Sequence, residues 1–187
     1  MKEKRSKEYK KGFTLVETLV AVSVLIIAIV APLEFVSRSV SYGRSANDET
    51  TSIYLAQEAI EAIRNERDRF SLTPGAGWDA FLASLGSPSS SCFSSSGCIV
   101  DMANQFGAGG PLFIDACVVT CPQMTQNTST KLYSYGSGAS WKTTPFTRTI
   151  KIISQTTNEI KISATVSWST GGPNQFTTVE HLYNWQR

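Results

Sequence analysis

The sequence is poor in charged residues and almost lacks histidine. Charged residues make up 17% of the 187 residues, and His181 is the one histidine. A low charged share, with many Ser, Thr and Gly residues, is more typical of extracytoplasmic proteins than of cytosolic enzymes. One histidine cannot form a metal-binding pair, and His181 lies in a predicted strand, where we expect it to be packed or solvated rather than catalytic.

Recognisable catalytic motifs are also missing. The sequence contains no Gly-rich phosphate-binding loop and no isolated cysteine of the kind that serves as a nucleophile. We therefore expect no catalytic residue, no bound metal and no cofactor. The four tryptophans could include one that contacts a ligand, but core packing is the expected role of Trp168 and Trp185.

The basic charge of the chain is confined to its first twelve residues. The formal net charge is +2, but residues 1–12 contain six Lys and Arg against Glu3 and Glu8, which leaves the remaining residues at about −2. This balance gives no support for a nucleic-acid-binding surface. We therefore expect no nucleic-acid partner to be required.

An apolar segment follows, and residues 13–33 contain one charged residue, Glu17. As a helix these 21 residues extend about 31 Å, enough to cross the hydrocarbon core of a membrane. The basic residues before the segment outnumber Arg38 and Arg44 after it, so the positive-inside rule places residues 1–12 in the cytoplasm. The rest of the chain is then expected outside the inner (cytoplasmic) membrane.

Four cysteines lie within thirty residues, at Cys92, Cys98, Cys117 and Cys121. Outside the cytoplasm such a set predicts two disulfides, whereas in the cytosol it would favour zinc. The spacings match no common zinc site, and His181 is distant in sequence. Disulfides are therefore predicted, and the three pairings that four cysteines allow remain open.

Two residues are unusual for a plain membrane anchor. Gly12 stands at the step from basic to apolar sequence, where a missing side chain would let a protease approach the backbone. Glu17 lies one turn into the apolar segment, where an unpaired carboxylate usually marks function. If the chain were cut after Gly12, the new amino group of Phe13 could pair with Glu17 of a neighbouring copy.

Residues 10–17, with the sequence KKGFTLVE, resemble the processing site of type IV pilins and of the related pseudopilins of type II secretion. In that family a prepilin peptidase removes the leader after the Gly and methylates the new amino-terminal Phe, and an acidic residue at the fifth mature position guides assembly. The resemblance implies cleavage between Gly12 and Phe13, N-methylation of Phe13 and an assembly role for Glu17. The plainer alternative is a single-pass anchor in which Glu17 merely lies near the membrane interface.

A helical pattern continues beyond the apolar segment to about Asp68. Ile53, Ala56, Ile60 and Ile63 recur at spacings of three and four, which is typical of an amphipathic helix. The pattern places the following acidic and amide residues on other faces: Glu58, Glu61, Asn65, Glu66 and Asp68. Glu61 and Arg64 are spaced to form a surface ion pair. Pro32 predicts a kink in this helix, either an ordinary one or one that helps the helix move from bilayer to filament.

The period changes from 3.6 to 2 in the last third of the chain. Residues 160–168 alternate between apolar and polar side chains and predict a half-buried strand. Residues 171–174 predict a turn, and residues 146–154 and 175–185 predict two further strands. These strands favour an antiparallel sheet packed on the helix, a pilin-like α+β fold.

The predicted organisation has five parts. They are a cytoplasmic leader (1–12), a transmembrane and filament-core helix (13–40), an amphipathic half of the same helix (41–70), a loop-rich insertion that contains the cysteines (71–143) and the sheet of the head (144–187). Short strands are predicted within the insertion at residues 112–120 and 131–135. With few apolar runs of its own, the insertion is expected to depend on its disulfides.

Residues 55–68, 145–150, 166–168 and 182–185 also look like the corresponding parts of minor pilins known as type IV pilus modification proteins. The resemblance implies a minor pilin, a structural subunit without enzymatic activity, whose partners are a prepilin peptidase, other pilin subunits and, before assembly, the inner membrane. A type II secretion pseudopilin remains an alternative. A further alternative is an adhesin or DNA-uptake module displayed on the filament at the cell surface, with an unidentified ligand.

Overall fold

The computed structural model describes residues 12–86, 91–102 and 112–185. The chain divides into two compact units, Met1–Arg44 and Ser45–Arg187. Residues 1–11 of the predicted leader lie outside the described residues, as do parts of the predicted insertion.

Helix α1 spans Leu15–Leu72. The helix predicted over residues 13–68 is therefore confirmed, although it begins two residues later and ends four residues later. Pro32 lies inside α1, and the helical assignment continues through it. The last turn carries Arg69, a cation in the position that the helix dipole favours.

Within the described residues, a short helix, a single 3-10 turn and seven strands follow α1. Their bounds are α2 (Trp78–Ser84), the 3-10 turn (Ser91–Phe93), β1 (Cys98–Asp101), β2 (Phe113–Ala116), β3 (Gln123–Asn127), β4 (Tyr133–Ser134), β5 (Trp141–Gln155), β6 (Glu159–Trp168) and β7 (Asn174–Tyr183). The three strands predicted in the last third of the sequence correspond to β5, β6 and β7. Strands β2 and β4 are shorter than predicted, and β1 and β3 were not predicted.

All seven strands form one sheet, and every pair is antiparallel. Strand β5 is the longest and lies at its centre, with β6 along one edge and β3 and β1 along the other. Strand β7 extends the sheet beyond β6, while β2 and β4 extend it beyond β1 and β3. Strands of the predicted insertion are thus part of the same sheet as residues 144–187, and the antiparallel α+β arrangement is confirmed.

Strand β6 shows why its sequence predicts a half-buried strand. Its side chains alternate without exception between half-buried and buried positions, and the apolar residues from Ile160 to Trp168 occupy the buried ones. Gly171 and Gly172 then turn the chain with positive φ angles of 77° and 128°, a conformation that side chains disfavour. The Asn174 side chain donates hydrogen bonds to the backbone oxygens of Thr170 and Gly172 and holds the turn.

The core of the second unit lies between the carboxyl-terminal half of α1 and one face of the sheet. Ala56, Ala59 and Ile63 of α1 are fully buried in the same cluster as Ile150 and Ile162 of the sheet. The small alanines let the helix approach the sheet closely. The amphipathic pattern read from the sequence is therefore confirmed for this part of α1.

Two predicted positions were wrong and one predicted contact is confirmed. Glu66, predicted on an outer face, is 1% exposed and accepts hydrogen bonds from Arg69. Trp185, predicted in the core, is 56% exposed, whereas Trp168 is buried as predicted. The surface pair between Glu61 and Arg64 forms at 2.6 Å, as their helical spacing predicts.

Candidate functional site

The peptide bond between Gly12 and Phe13 lies outside any helix or strand of the described residues and is sterically accessible. A Cβ added to Gly12 would meet no atom of the described residues within 4 Å. Phe13 is 75% exposed, and helix α1 begins only at Leu15. An enzyme that needs an extended chain would therefore find no secondary structure at this bond.

Thr14 and Glu17 organise the first turn of α1. The Thr14 hydroxyl accepts a hydrogen bond from the Glu17 backbone N–H at 3.2 Å, so Thr14 acts as the amino-terminal cap. The spacing Thr-x-x-Glu is that of a capping box, and it places the Glu17 carboxylate where the helix dipole favours negative charge. Within the described residues, no ion pair involves Glu17.

The apolar side chains of the first unit are exposed. Between Leu15 and Val40 the large apolar side chains are 51% to 79% exposed. One helix of the described residues, α1, is long and apolar enough by length and composition to cross a membrane, with a mean hydropathy of 2.7 over its most apolar window and none of that window buried. Because soluble proteins rarely expose so large a continuous apolar surface, this segment is suited to be covered by lipid or by other apolar helices.

Both cysteine pairs in the second unit close short loops. Cys92 is bonded to Cys98, and Cys117 to Cys121, with Cα–Cα distances of 4.6 and 4.8 Å. The Cys117 N–H donates a hydrogen bond to the Gly97 oxygen at 2.9 Å, which brings the two bridges to the same end of the β1–β2 pair. All four cysteines are thus brought together, in the pairing that follows the order of the chain.

A buried arginine joins α1 to the sheet. The Arg148 side chain on β5 is fully buried and donates hydrogen bonds to the backbone oxygens of Leu55 at 2.9 Å and Val100 at 2.5 Å. Its Nη1 lies 3.6 Å from a carboxylate oxygen of Glu58 on α1. The buried Asp101 carboxylate accepts a hydrogen bond from Ser134 at 2.7 Å and contributes a second negative charge to this cluster.

Burial dominates the ionisation of the groups around Arg148. It raises the pKa of the Glu58 carboxyl above its ordinary value, and the attraction of Arg148 offsets only part of that rise. It also raises the pKa of the Tyr135 hydroxyl, and the neighbouring Arg148 opposes that rise. The cluster has the features of an internal structural tie, since the guanidinium of Arg148 on β5 is fully buried and binds the backbone of α1 and of β1.

The remaining predicted candidates have ordinary environments. The exposed His181 ring contacts the Glu159 carboxylate across the β6–β7 pair. The described residues contain no group of three or more His, Cys, Asp or Glu side chains placed to hold a metal ion. Gly12, Phe13 and Glu17 are brought together at the start of the first unit by sequence proximity and by the Thr14 cap.

Sequence reasoning missed two residues that organise these regions, Thr14 as the cap of α1 and Arg148 as the tie between α1 and the sheet. The Thr-x-x-Glu spacing was visible as a capping signal. Arg148 lies between Phe146 and Ile150 in a predicted strand, so the two-residue period alone places it on the inward face. An arginine on the inward face needs buried hydrogen-bond acceptors, because an unpaired guanidinium in the core is strongly unfavourable.

Comparison with known proteins gives one match. Residues 8–31 match the family model described as the prokaryotic N-terminal methylation motif. No curated protein and no solved structure matches the chain. The match covers Gly12, Phe13 and Glu17 and nearly all of the apolar segment of residues 13–33, and it leaves the second unit without a counterpart.

Proposed function

We propose that this chain is a protein of the type IV pilin and pseudopilin family and, within that family, a minor pilin, a structural subunit of a type IV pilus. The methylation motif at residues 8–31 and the arrangement of a long apolar helix before an antiparallel sheet support the proposal. The motif implies processing by a prepilin peptidase and assembly with other pilins. The observation that carries the proposal is the position of the motif. It ends within the apolar first part of α1, whose large apolar side chains from Leu15 to Val40 are exposed and need a partner.

The proposed processing step is hydrolysis of the bond between Gly12 and Phe13, followed by methylation of the new amino group. The open position of Gly12 supports this assignment, since a side chain at the cleaved bond would obstruct a peptidase. Phe13 then becomes the first residue of the mature chain. It lies one residue before the Thr14 cap, so the cut leaves the described helix intact.

Before assembly the subunit is proposed to lie in the inner membrane, with residues 1–12 in the cytoplasm and the head outside. The charge asymmetry around the apolar segment supports this orientation. The two disulfides of the second unit agree with it, because disulfides persist in oxidising compartments. After assembly the head is displayed on the pilus at the cell surface.

Glu17 is proposed to set the position of the subunit in the filament. In a bundle of apolar helices an unpaired carboxylate is strongly unfavourable, so it needs a cation. The amino group of Phe13 on a neighbouring subunit is that cation after processing. In the mature helix the next cation in sequence is Arg38, whose side chain pairs with Glu34 at 2.7 Å.

A Glu17→Leu variant tests the pairing. Membrane insertion should be unchanged or improved, since the apolar segment loses its one charge, but incorporation into filaments should fall at least tenfold. Glu34→Leu is the matched control, because it removes a carboxylate from the same helix outside the motif. Incorporation of Glu17→Leu at the wild-type level would contradict the pairing and leave this subunit placed by other contacts.

The intact mass of the protein in purified filaments tests the wider proposal. The expected mass is that of a chain beginning at Phe13 with one added methyl group and with all cysteines oxidised. A Gly12→Val chain provides the unprocessed reference and should retain the leader. A wild-type chain that starts at Met1, or that is absent from filaments, would contradict the proposal.

A pseudopilin of a type II secretion machine is the second candidate, because the same amino-terminal motif serves both machines. The identity of the neighbouring genes separates the two. Genes for pilus motors and retraction favour the pilus, and a secretin operon favours secretion.

A further inference from the structure

Four adjacent strands place one uncharged polar side chain each on the outer face of the sheet. Gln123 of β3 lies opposite Thr147 of β5, Thr147 opposite Ser167 of β6, and Ser167 opposite Gln175 of β7. Residues paired in this way point to the same face of a sheet. At a strand spacing of about 4.8 Å, this polar row is about 14 Å long. It lies on the face opposite the one that packs on α1.

The polar row forms the floor of a cavity of about 480 Å³, within the range of small-ligand sites. Pro145 and Pro173 add apolar lining, and Asn174, next to the β6–β7 turn, also lines the cavity. The pairing of β3 with β5 shifts register between Gln123 and Thr125, an irregularity of the kind often found beside binding sites.

The hydrogen-bonding capacity of the row is unused. Within the described residues, the four side chains of the polar row form no hydrogen bonds. The next row along the same face provides the contrast, because the hydroxyls of Thr165 and Thr177 bond to each other at 2.9 Å. The sheet therefore carries one Thr-containing row that is satisfied internally and another whose donors and acceptors remain available.

The chemistry of the lining selects a class of ligand. Among the described residues, no charged side chain lines this cavity. Phosphates and nucleic acids would lack a cation, and amines would lack a carboxylate. Amides and hydroxyls both donate and accept hydrogen bonds, which matches the hydroxyl groups of a sugar. An extended peptide would instead seek backbone pairing at a free strand edge, which the middle of a sheet does not offer.

We propose that the polar row binds a neutral carbohydrate, with its ring hydroxyls on the amides and hydroxyls of the four strands and its apolar face against Pro145 or Pro173. The other cavities of the second unit fit this ligand less well. The one between α1 and β7 is lined by the charged Glu58, Glu61 and Arg64.

The test uses the full chain in a zwitterionic detergent, since alkyl glycoside detergents would compete. The probes are methyl glycosides of glucose, galactose, mannose and N-acetylglucosamine, with the matching disaccharides and with glucuronate as the anionic comparison. Saturation-transfer NMR reports contact and titration reports the Kd. A monosaccharide of this size should bind with a Kd on the order of 1 mM, and glucuronate should bind more weakly than glucose.

Variants assign the binding to the row. Thr147→Val with Ser167→Ala removes two hydroxyls without disturbing strand propensity and should weaken binding about tenfold or more. The exposed Gln175→Ala is the second variant, and it should weaken binding even if the double variant folds poorly. Thr165→Val with Thr177→Val is the matched control on the same face and should change the Kd less than twofold.

Several results would overturn the proposal. They are the absence of binding by every neutral probe, tighter binding of glucuronate than of glucose, or equal loss of binding in the row variants and in the control. Binding of an uncharged proline-rich peptide in place of the sugars would assign the cavity to a protein partner and also reject the carbohydrate.

Discussion

Replacing Arg148 by Met should destabilise the head more than removing any exposed arginine. The Arg148 side chain is fully buried and satisfies two backbone oxygens, those of Leu55 on α1 and Val100 on β1. Its removal leaves both oxygens without this donor and takes away the guanidinium that lies 3.6 Å from the Glu58 carboxylate. Breaking a buried charge cluster in this way costs about 3–5 kcal/mol.

Arg64→Met is the matched control. Arg64 makes two ionic contacts, to Glu61 at 2.6 Å and Glu180 at 2.8 Å, but its side chain is 38% exposed. Solvent screens such pairs, and the expected loss is only about 0–1 kcal/mol. The comparison separates burial from the number of ionic contacts, because Arg148 makes one ionic contact within the described residues, to Glu58, and is still expected to be the more costly arginine to remove.

Urea unfolding followed by tryptophan fluorescence measures both variants, since Trp168 lies in the core. The Arg148→Met variant should lose a large part of a total unfolding free energy of about 5–15 kcal/mol. The dependence of that free energy on urea concentration should change little. A loss below about 1 kcal/mol would refute the reasoning. It would mean that water or rearrangement satisfies the Leu55 and Val100 oxygens without the guanidinium.

Three further predictions concern the same unit. Because burial raises the pKa of Glu58, the folded state binds more protons than the unfolded state above the ordinary value of 4.5, and the unfolding free energy falls as pH rises towards the raised pKa. Glu58→Gln should therefore gain stability relative to the wild type as pH rises above the ordinary value of 4.5, and an unchanged difference in urea midpoint would contradict this. Removing either bridge, by Cys92→Ala with Cys98→Ala or by the equivalent change at the other pair, should lower the free energy of unfolding by about 2 kcal/mol. This is the low end of the usual effect of a disulfide, because both loops are short. Thiol labelling of the folded wild type should find no free cysteine. Gly97→Ala should lower the free energy of unfolding by more than about 2 kcal/mol, because Gly97 has a φ of 77° and a Cβ there would lie 2.5 Å from the Ile150 oxygen. Gly138→Ala is the control, with a positive φ but open space around the added Cβ, and it should lose less stability. Equal losses in the two variants would assign the effect to φ alone.

The regular spacing of apolar residues in the sequence predicted the helix and strands in which buried and exposed positions repeat regularly. Strand β6 alternates over ten residues, and its sequence predicted both the strand and its buried face. The second half of α1 repeats its apolar residues at helical spacings, and it was predicted for the same reason.

Short strands were missed because tertiary pairing, rather than local pattern, forms them. Strand β1 is four residues long and buried throughout, so it has no alternation to detect. Strand β3, with the sequence QMTQN, is mostly polar, and its pairing with β5 gives it strand geometry. Such segments have weak intrinsic strand preference, and their neighbours decide their structure.

The residues of the candidate sites likewise fall into those that local sequence indicates and those that depend on tertiary structure. Gly12, Phe13 and Glu17 were selected from adjacent sequence alone; the matched methylation motif includes all three, and their roles stay predictions. The burial of Glu66 was missed although it lies three residues after Ile63, on the face that packs on the sheet. An acidic residue suggests solvent, and its partner Arg69, one turn later, makes burial tolerable. The polar row could not be predicted, since it depends on the register of four strands.

Because both disulfides close loops of a few residues, they leave the chain free to lengthen under load. Neither bridge connects α1 to the sheet or one long strand to another. A pulling force between Ser45 and Tyr183 would therefore meet only noncovalent resistance, from the ladders of β5, β6 and β7 and from the contacts of Arg148. A head built in this way can yield and extend under sudden tension, and then refold with its covalent bridges intact.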